Sequence, residues 1–107
     1  MVYTPGQPDD PHQPRPGIVV SEDVRNRLRD DLILVPLFSA GKLGPTRVPL
    51  ARGTGGLPRA CIAYCEEVTT VDRDFLSRGP LGTRLSPAQL AEVIRGIRRA
   101  LGDVLPS

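Results

Sequence analysis

The chain reads as one α+β domain, a small antiparallel β-barrel covered on one face by a C-terminal helix, and three observations carry that reading. Short apolar runs rich in β-branched residues, Gly17-Ile18-Val19-Val20 and Leu32-Ile33-Leu34-Val35-Pro36-Leu37-Phe38, are bounded by turn formers, as buried strands are. The connections between such runs are hairpin-sized, without the spacing of βαβ units, which predicts antiparallel pairing. The clearest helical period, with its own start signal, comes at the end of the chain. With 107 residues there is material for one core and not for two, so residues 1–107 form a single domain.

Residues 1–14 are a proline-rich loop or arm, with Val2-Tyr3 as a truncated first strand. Proline cannot donate to a sheet and biases its predecessor toward extended backbone; a disordered tail is the alternative. His12 lies in this arm and becomes a candidate proton donor if the arm folds over a site, since its pKa falls near working pH; a merely solvated side chain is the other reading. Arg15 stands at the entrance of a strand over 15–21, where a planar guanidinium can hold a phosphate through paired donors or simply cap loop carbonyls.

Ser21-Glu22-Asp23-Val24 predicts an N-cap at Ser21 followed by acids in a first turn, with a short helix through Arg29. Asp30-Asp31 turns the chain into a central strand that ends at Ser39. A loop with Gly41, Gly44 and Pro45 leads to a strand over 46–51. Gly53-Thr54-Gly55-Gly56 lacks the Lys-Ser/Thr of a phosphate-cradling loop and reads as a hairpin connection. A strand over 60–67 places Cys61, Ala63 and Cys65 on one side and Ile62, Tyr64 and Glu66 on the other. Residues 68–71 continue extended, 72–76 make a short helical turn and 82–85 a last strand. Ser86-Pro87-Ala88-Gln89 is a capping box with proline at the first helical position. Leu90, Val93, Ile94, Ile97, Leu101 and Val104 then form an apolar stripe for core or dimer contact, opposite Arg95, Arg98 and Arg99, and Pro106 closes the helix.

Charge is mild in total, 14 basic against 12 acidic residues, but uneven. Between residues 40 and 60 Lys42, Arg47, Arg52 and Arg59 occur without an acid. Such a segment could follow a phosphate backbone, a solvated loop face being the alternative. Stacking platforms for bases are confined to Tyr3, Phe38, Tyr64 and Phe75. The two thiols, Cys61 and Cys65, lie roughly 13 Å apart if they share a strand, too far to bridge. A structural zinc would need four nitrogen or sulfur ligands, and His12 is the one histidine, so two buried structural thiols and no metal site are expected. No apolar run is long enough for a membrane span, and the start lacks a basic-then-apolar leader, which predicts a cytoplasmic protein.

With these residues in view, the chain resembles the MazF/PemK toxins of type II toxin–antitoxin pairs. The likeness is carried by Arg15-Pro16-Gly17-Ile18-Val19-Val20-Ser21 and by Val35-Pro36-Leu37-Phe38-Ser39. It continues through Gly55-Gly56-Leu57-Pro58, Ala63-Tyr64-Cys65, Thr70-Val71-Asp72 and Arg84-Leu85-Ser86-Pro87 to the final helix. The resemblance implies an SH3-like barrel of the CcdB/MazF type and a homodimer. It implies metal-independent cleavage of single-stranded RNA without a cofactor, and neutralisation by a cognate antitoxin laid across the dimer groove.

By position, the resemblance makes Arg15 the phosphate clamp or acid, Glu66 the base and His12 a loop histidine of the site. Ser39 lies beside the family's usual threonine, whose own place is taken here by Phe38, and Tyr64 stands where some members carry arginine. Lys42, Arg47, Arg52 and Arg59, with Tyr64 and Phe38, are the expected RNA contacts. The alternative is a catalytically silent module of the same fold, acting by protein contact; Phe38 and Tyr64 favour it.

Overall fold

A computed structural model of the chain describes residues 2–3, 16–75 and 84–103. Six strands form one antiparallel sheet: β1 (Val2–Tyr3), β2 (Pro16–Val19), β3 (Asp31–Phe38), β4 (Arg47–Leu50), β5 (Cys61–Tyr64) and β6 (Thr69–Asp72). Helix α1 (Asp23–Leu28) joins β2 to β3, and helix α2 (Pro87–Ala100) follows the sheet. The order is β1-β2-β3-β5-β4, with β6 also on β3. Among the described residues the ladder does not close into a ring, but the α+β class, the antiparallel pairing and the covering helix are as the sequence predicts.

β3 is the axis of the sheet because it is long enough to be shared. Its first half pairs with β6 through Asp31↔Asp72 to Leu34↔Thr69, and its end pairs with β5 through Leu37↔Ala63 and Phe38↔Ile62. β2 lies along its other edge, Gly17 opposite Pro36 and Val19 opposite Leu34, so the start of β2 sits beside the later half of β3. Val35 and Leu37 face a core of Ile18, Leu50, Leu57, Cys61, Ala63, Cys65 and Val93. Leu32, Leu34 and Phe38 alternate to the opposite face.

The capping box of α2 is present: Ser86 Oγ accepts from Gln89 N, and Gln89 Oε1 accepts from Ser86 N. Its stripe is narrower than predicted. Val93 is fully buried and Ile97 packs on the core, but Ile94 and Leu101 are exposed, Leu101 as the C-cap. Val104 and Pro106 lie outside the described residues. Gly96 occupies the seam instead, letting the helix backbone settle onto Cys65.

Three local expectations change. Glu22, not Ser21, caps α1, its carboxylate accepting from Val24 N and Arg25 N; Ser21 is drawn off to Asn26 and Ile33. The strand expected over 60–67 stops at Tyr64, and Cys65–Glu67 form a 3-10 turn, because Cys65 must stay buried under α2 where the chain leaves the sheet. Arg84 and Leu85 are not in a strand, and residues 82–83 lie outside the described set. Both cysteines are unbridged and buried, as expected. No helix among the described residues is long and apolar enough to cross a membrane.

Candidate nucleic-acid interface

The ends of β3 and β5 and the start of β4 meet at one edge of the sheet. The hairpin register sets Arg47 opposite Tyr64, while Phe38 lies opposite Ile62. Alternation then puts Phe38, Tyr64 and Arg47 on the same face, away from the Val93 core. The rings of Phe38 and Tyr64 are 4.4 Å apart and tilted by 39°, and the Arg47 guanidinium carbon stands 3.9 Å from the Tyr64 ring centroid. A guanidinium over an aromatic face is held electrostatically by the ring quadrupole.

The 3-10 turn swings Glu66 back over this stack. Arg47 Nε donates to Glu66 Oε1 at 2.7 Å, and Thr46 Oγ1 donates to Glu66 Oε2 at 3.0 Å. Both charged side chains are about 30% exposed, at 28% and 31%. Desolvation works to raise the Glu66 pKa, but hydrogen bonds from Arg47, the backbone and Thr46, with the charge of Arg47, outweigh it and leave the carboxyl below its usual range. The hydrogen bond to Glu66 likewise raises the Arg47 pKa. The pair is therefore ionised at neutral pH and close to neutral in sum.

The preceding loop is tied to the same cluster. Tyr64 OH donates to the Ala40 carbonyl at 2.6 Å, Arg47 Nη1 to the Lys42 carbonyl at 3.1 Å, and Arg99 Nη1 of α2 to the Pro45 carbonyl at 3.4 Å. Gly41 makes the first contact possible. Its φ is +139°, and a Cβ there would lie 1.7 Å from the Tyr64 hydroxyl.

Of the residues singled out by sequence, Phe38, Tyr64, Arg47, Glu66 and Lys42 come together here. Ser39 is exposed in the bend just past β3. Arg52 and Arg59 are exposed in the connection at the far end of the β4–β5 hairpin, roughly 10–13 Å away along a strand. Arg15 and His12 lie outside the described residues. The sequence reading missed Thr46, Gly41, Arg99 and the partnership of Arg47 with Glu66. Counting the hairpin register out from the glycine turn would have set Arg47 against Tyr64. No comparable signal pointed to Arg99.

A concavity of about 720 Å³ lies at the opposite end of β3, beside Ile18, Leu32, Leu85 and Leu90. Its polar rim is already engaged: Arg84 with Asp23, and Arg73 with the Arg29 and Asn26 carbonyls. It is not part of the cluster around Glu66.

Solved structures define the class by fold. The chain is similar to an endoribonuclease in complex with its cognate antitoxin from a mycobacterial species, at 23% identity and TM-score 0.78, over 98% of this chain and 94% of that one. It is similar to Mycobacterium tuberculosis toxin MazF-mt6 at 18% identity and TM-score 0.76, over 98% of this chain and all of that one. At these identities the likeness is one of fold. No curated protein matches the sequence. The family itself is shown by the sequence: the model for PemK-like, MazF-like toxins of type II toxin–antitoxin systems matches residues 1–101, and the chain belongs to that family.

Proposed function

We propose that the protein is an endoribonuclease toxin that cleaves single-stranded RNA, mRNA being the expected target, without a metal or cofactor. It acts in the cytoplasm as a homodimer and is held in check by a cognate antitoxin. The observation that carries this reading, within a toxin family, is the Phe38–Tyr64–Arg47–Glu66 cluster at one sheet edge beside the exposed Lys42.

The ribose 2′-hydroxyl attacks the adjacent phosphorus and the 5′ oxygen leaves, giving a 2′,3′-cyclic phosphate. Three tasks follow: taking the 2′ proton, supplying a proton to the leaving oxygen, and stabilising charge on the phosphorane. Glu66 is the base. Arg47 and Thr46 orient it and keep it ionised, at some expense in proton affinity, so the enzyme should be slow. Arg15 clamps the phosphate or acts as acid, Ser39 adds a hydrogen bond and His12 is a further proton donor. Lys42, Arg52 and Arg59 hold the backbone, Arg47, paired with Glu66, shapes the loop before β4, and Tyr64 and Phe38 offer aromatic surface. Ile94 and Leu101, seven residues apart on α2 and 39% and 74% exposed, are apolar surface that a second copy would cover.

The second reading, a silent binding module of the same fold, is favoured by the engagement of both Glu66 oxygens and by the missing hydroxyl at Phe38. One experiment separates them: incubation with single-stranded RNA in excess EDTA, followed by analysis of the 3′ ends. Cyclic phosphate at defined sites, lost in Arg15→Ala, supports the nuclease. Intact RNA at high protein concentration supports the module.

A further inference from the structure

We propose that the 40–46 loop is a phosphate-binding loop whose backbone amides, with the ammonium of Lys42, receive a phosphodiester, and that Tyr64, Arg47 and Arg99 are its positioning residues. This deepens the reading of the protein as an RNA-binding toxin and rests on it.

In this short segment five carbonyls accept hydrogen bonds: Ala40 from Tyr64, Lys42 from Arg47, Gly44 from Arg47 N, Pro45 from Arg99 and Thr46 from Cys65 N. No peptide bond among the described residues is cis. In a planar trans peptide the N–H points opposite to the C=O of the same unit. The amides of Gly41, Leu43 and Thr46, which belong to the Ala40, Lys42 and Pro45 units, are therefore directed away from Tyr64, Arg47 and Arg99. None of the three has a hydrogen-bond acceptor among the described residues. The Ala40 and Lys42 carbonyls converge on side chains that are stacked on each other, so the Gly41 and Leu43 amides share an outward side.

Clustered outward amides are an anion-binding arrangement. Residues 39–45 are all exposed and include no acid; the nearest carboxylate, Glu66, is held by Thr46 Oγ1 and Arg47 Nε. Lys42 lies between the Gly41 and Leu43 amides with no carboxylate partner among the described residues. Arg47 is different, its charge being met by Glu66 at 2.7 Å. It shapes the loop rather than adding to its net charge. Gly41 is required because a side chain there would overlap the Tyr64 hydroxyl that anchors the loop.

The test uses the full chain and a single-stranded 2′-O-methyl oligonucleotide, which cannot be cut. In a ¹⁵N-resolved titration the amide resonances of Gly41 and Leu43 should move with saturation, and that of Thr46, turned away from α2 and next to the Glu66 carboxylate, should not. Lys42→Gln should reduce the slope of log K against log salt by about 0.7 and weaken binding roughly fivefold at 0.1 M salt. Tyr64→Phe keeps the ring stack but frees the Ala40 carbonyl. It should weaken binding several-fold, shrink the Gly41 shift and leave salt slope and melting temperature unchanged, a pattern that a purely structural role would not give.

Unmoved loop amides, or a Lys42→Gln slope equal to wild type, would overturn the proposal even if the wild type cleaves RNA. Loop-dependent binding without cleavage would uphold it while the nuclease reading failed. Saturable loop shifts with an oligoglutamate peptide, and none with the oligonucleotide, would make the loop a protein-docking site and overturn it as well.

Discussion

Replacing Gly96 by alanine tests how the core holds the site. An added Cβ at this helical position would lie 2.6 Å from Cys65 Sγ, 3.1 Å from Cys65 Cβ and 3.5 Å from Val48 Cγ2. Cys65 is fully buried and its side chain is too short to swing aside, so either the helix or the 3-10 turn must shift. Overpacking of this kind costs about 1–3 kcal/mol, while alanine regains about 0.5–1 kcal/mol of helical backbone entropy. The net expectation is a loss of about 1–2 kcal/mol, or a melting temperature roughly 5–15 °C lower for a domain of this size.

Urea titration of Gly96→Ala, Cys65→Ala and the double variant measures it. Removing Sγ opens the space the new methyl needs, so the double variant should be more stable than the sum of the singles by about 1 kcal/mol or more. Because Glu66 follows Cys65 in the same turn, Gly96→Ala should also lower RNA cleavage, with partial recovery in the double variant. A Gly96→Ala protein more stable than wild type, or strict additivity, would refute the packing argument.

Three further outcomes follow from the geometry. The depressed Glu66 pKa means that its contribution to stability is present above the ordinary carboxyl value of 4.5 and is lost as pH falls through the lower folded value. The stability gap between wild type and Glu66→Gln should therefore close on acidification, and a gap that widens in urea midpoints below pH 4.5 would contradict this. Burial pushes the Cys65 thiol up to about 11, so stability should decline between about 9 and about 11 as the unfolded thiol ionises first, a limb that shrinks in Cys65→Ala and is left there to Cys61, whose thiol burial also raises. Leu101→Glu, placed on exposed apolar surface, should leave the melting temperature of dilute protein unchanged but shift the proposed homodimer toward monomer in sedimentation; unaltered sedimentation would contradict a dimer contact at Leu101.

What could be read in the sequence was whatever depends on local chemistry. The Ser86–Gln89 capping box, the glycine hairpin connection and the inward alternation of Cys61 and Ala63 each rest on a few neighbouring residues, and each is present. What could not be read was set by packing between distant elements. Ser21 has the side chain of an N-cap, yet it is taken by Asn26 and Ile33 while Glu22 caps α1. Glu66 has the parity of an outward strand residue, yet the strand ends at Tyr64 because Cys65 is required beneath Gly96. In the site, Phe38 and Tyr64 were visible as aromatics and Arg47 as one of a run of cations. That Arg47 is neutralised, and Lys42 is not, depends on where a 3-10 turn delivers one carboxylate.

That delivery has a consequence for how binding and chemistry divide. Had residues 60–67 run on as a strand, the register in which Arg47 faces Tyr64 would have put Glu66 two positions further out, opposite Pro45. The turn folds it back onto Thr46 and Arg47 instead, joining the proposed base and the nearest guanidinium in one almost neutral unit. Such a unit adds little to the long-range attraction of a polyanion, which falls instead to Lys42, Arg52 and Arg59. On this logic, changes at Glu66 should fall on the rate of cleavage at saturating RNA, and changes at Lys42 on its salt-dependent affinity. A Glu66→Gln variant that altered only affinity would mean that the pair serves binding and that the base is elsewhere.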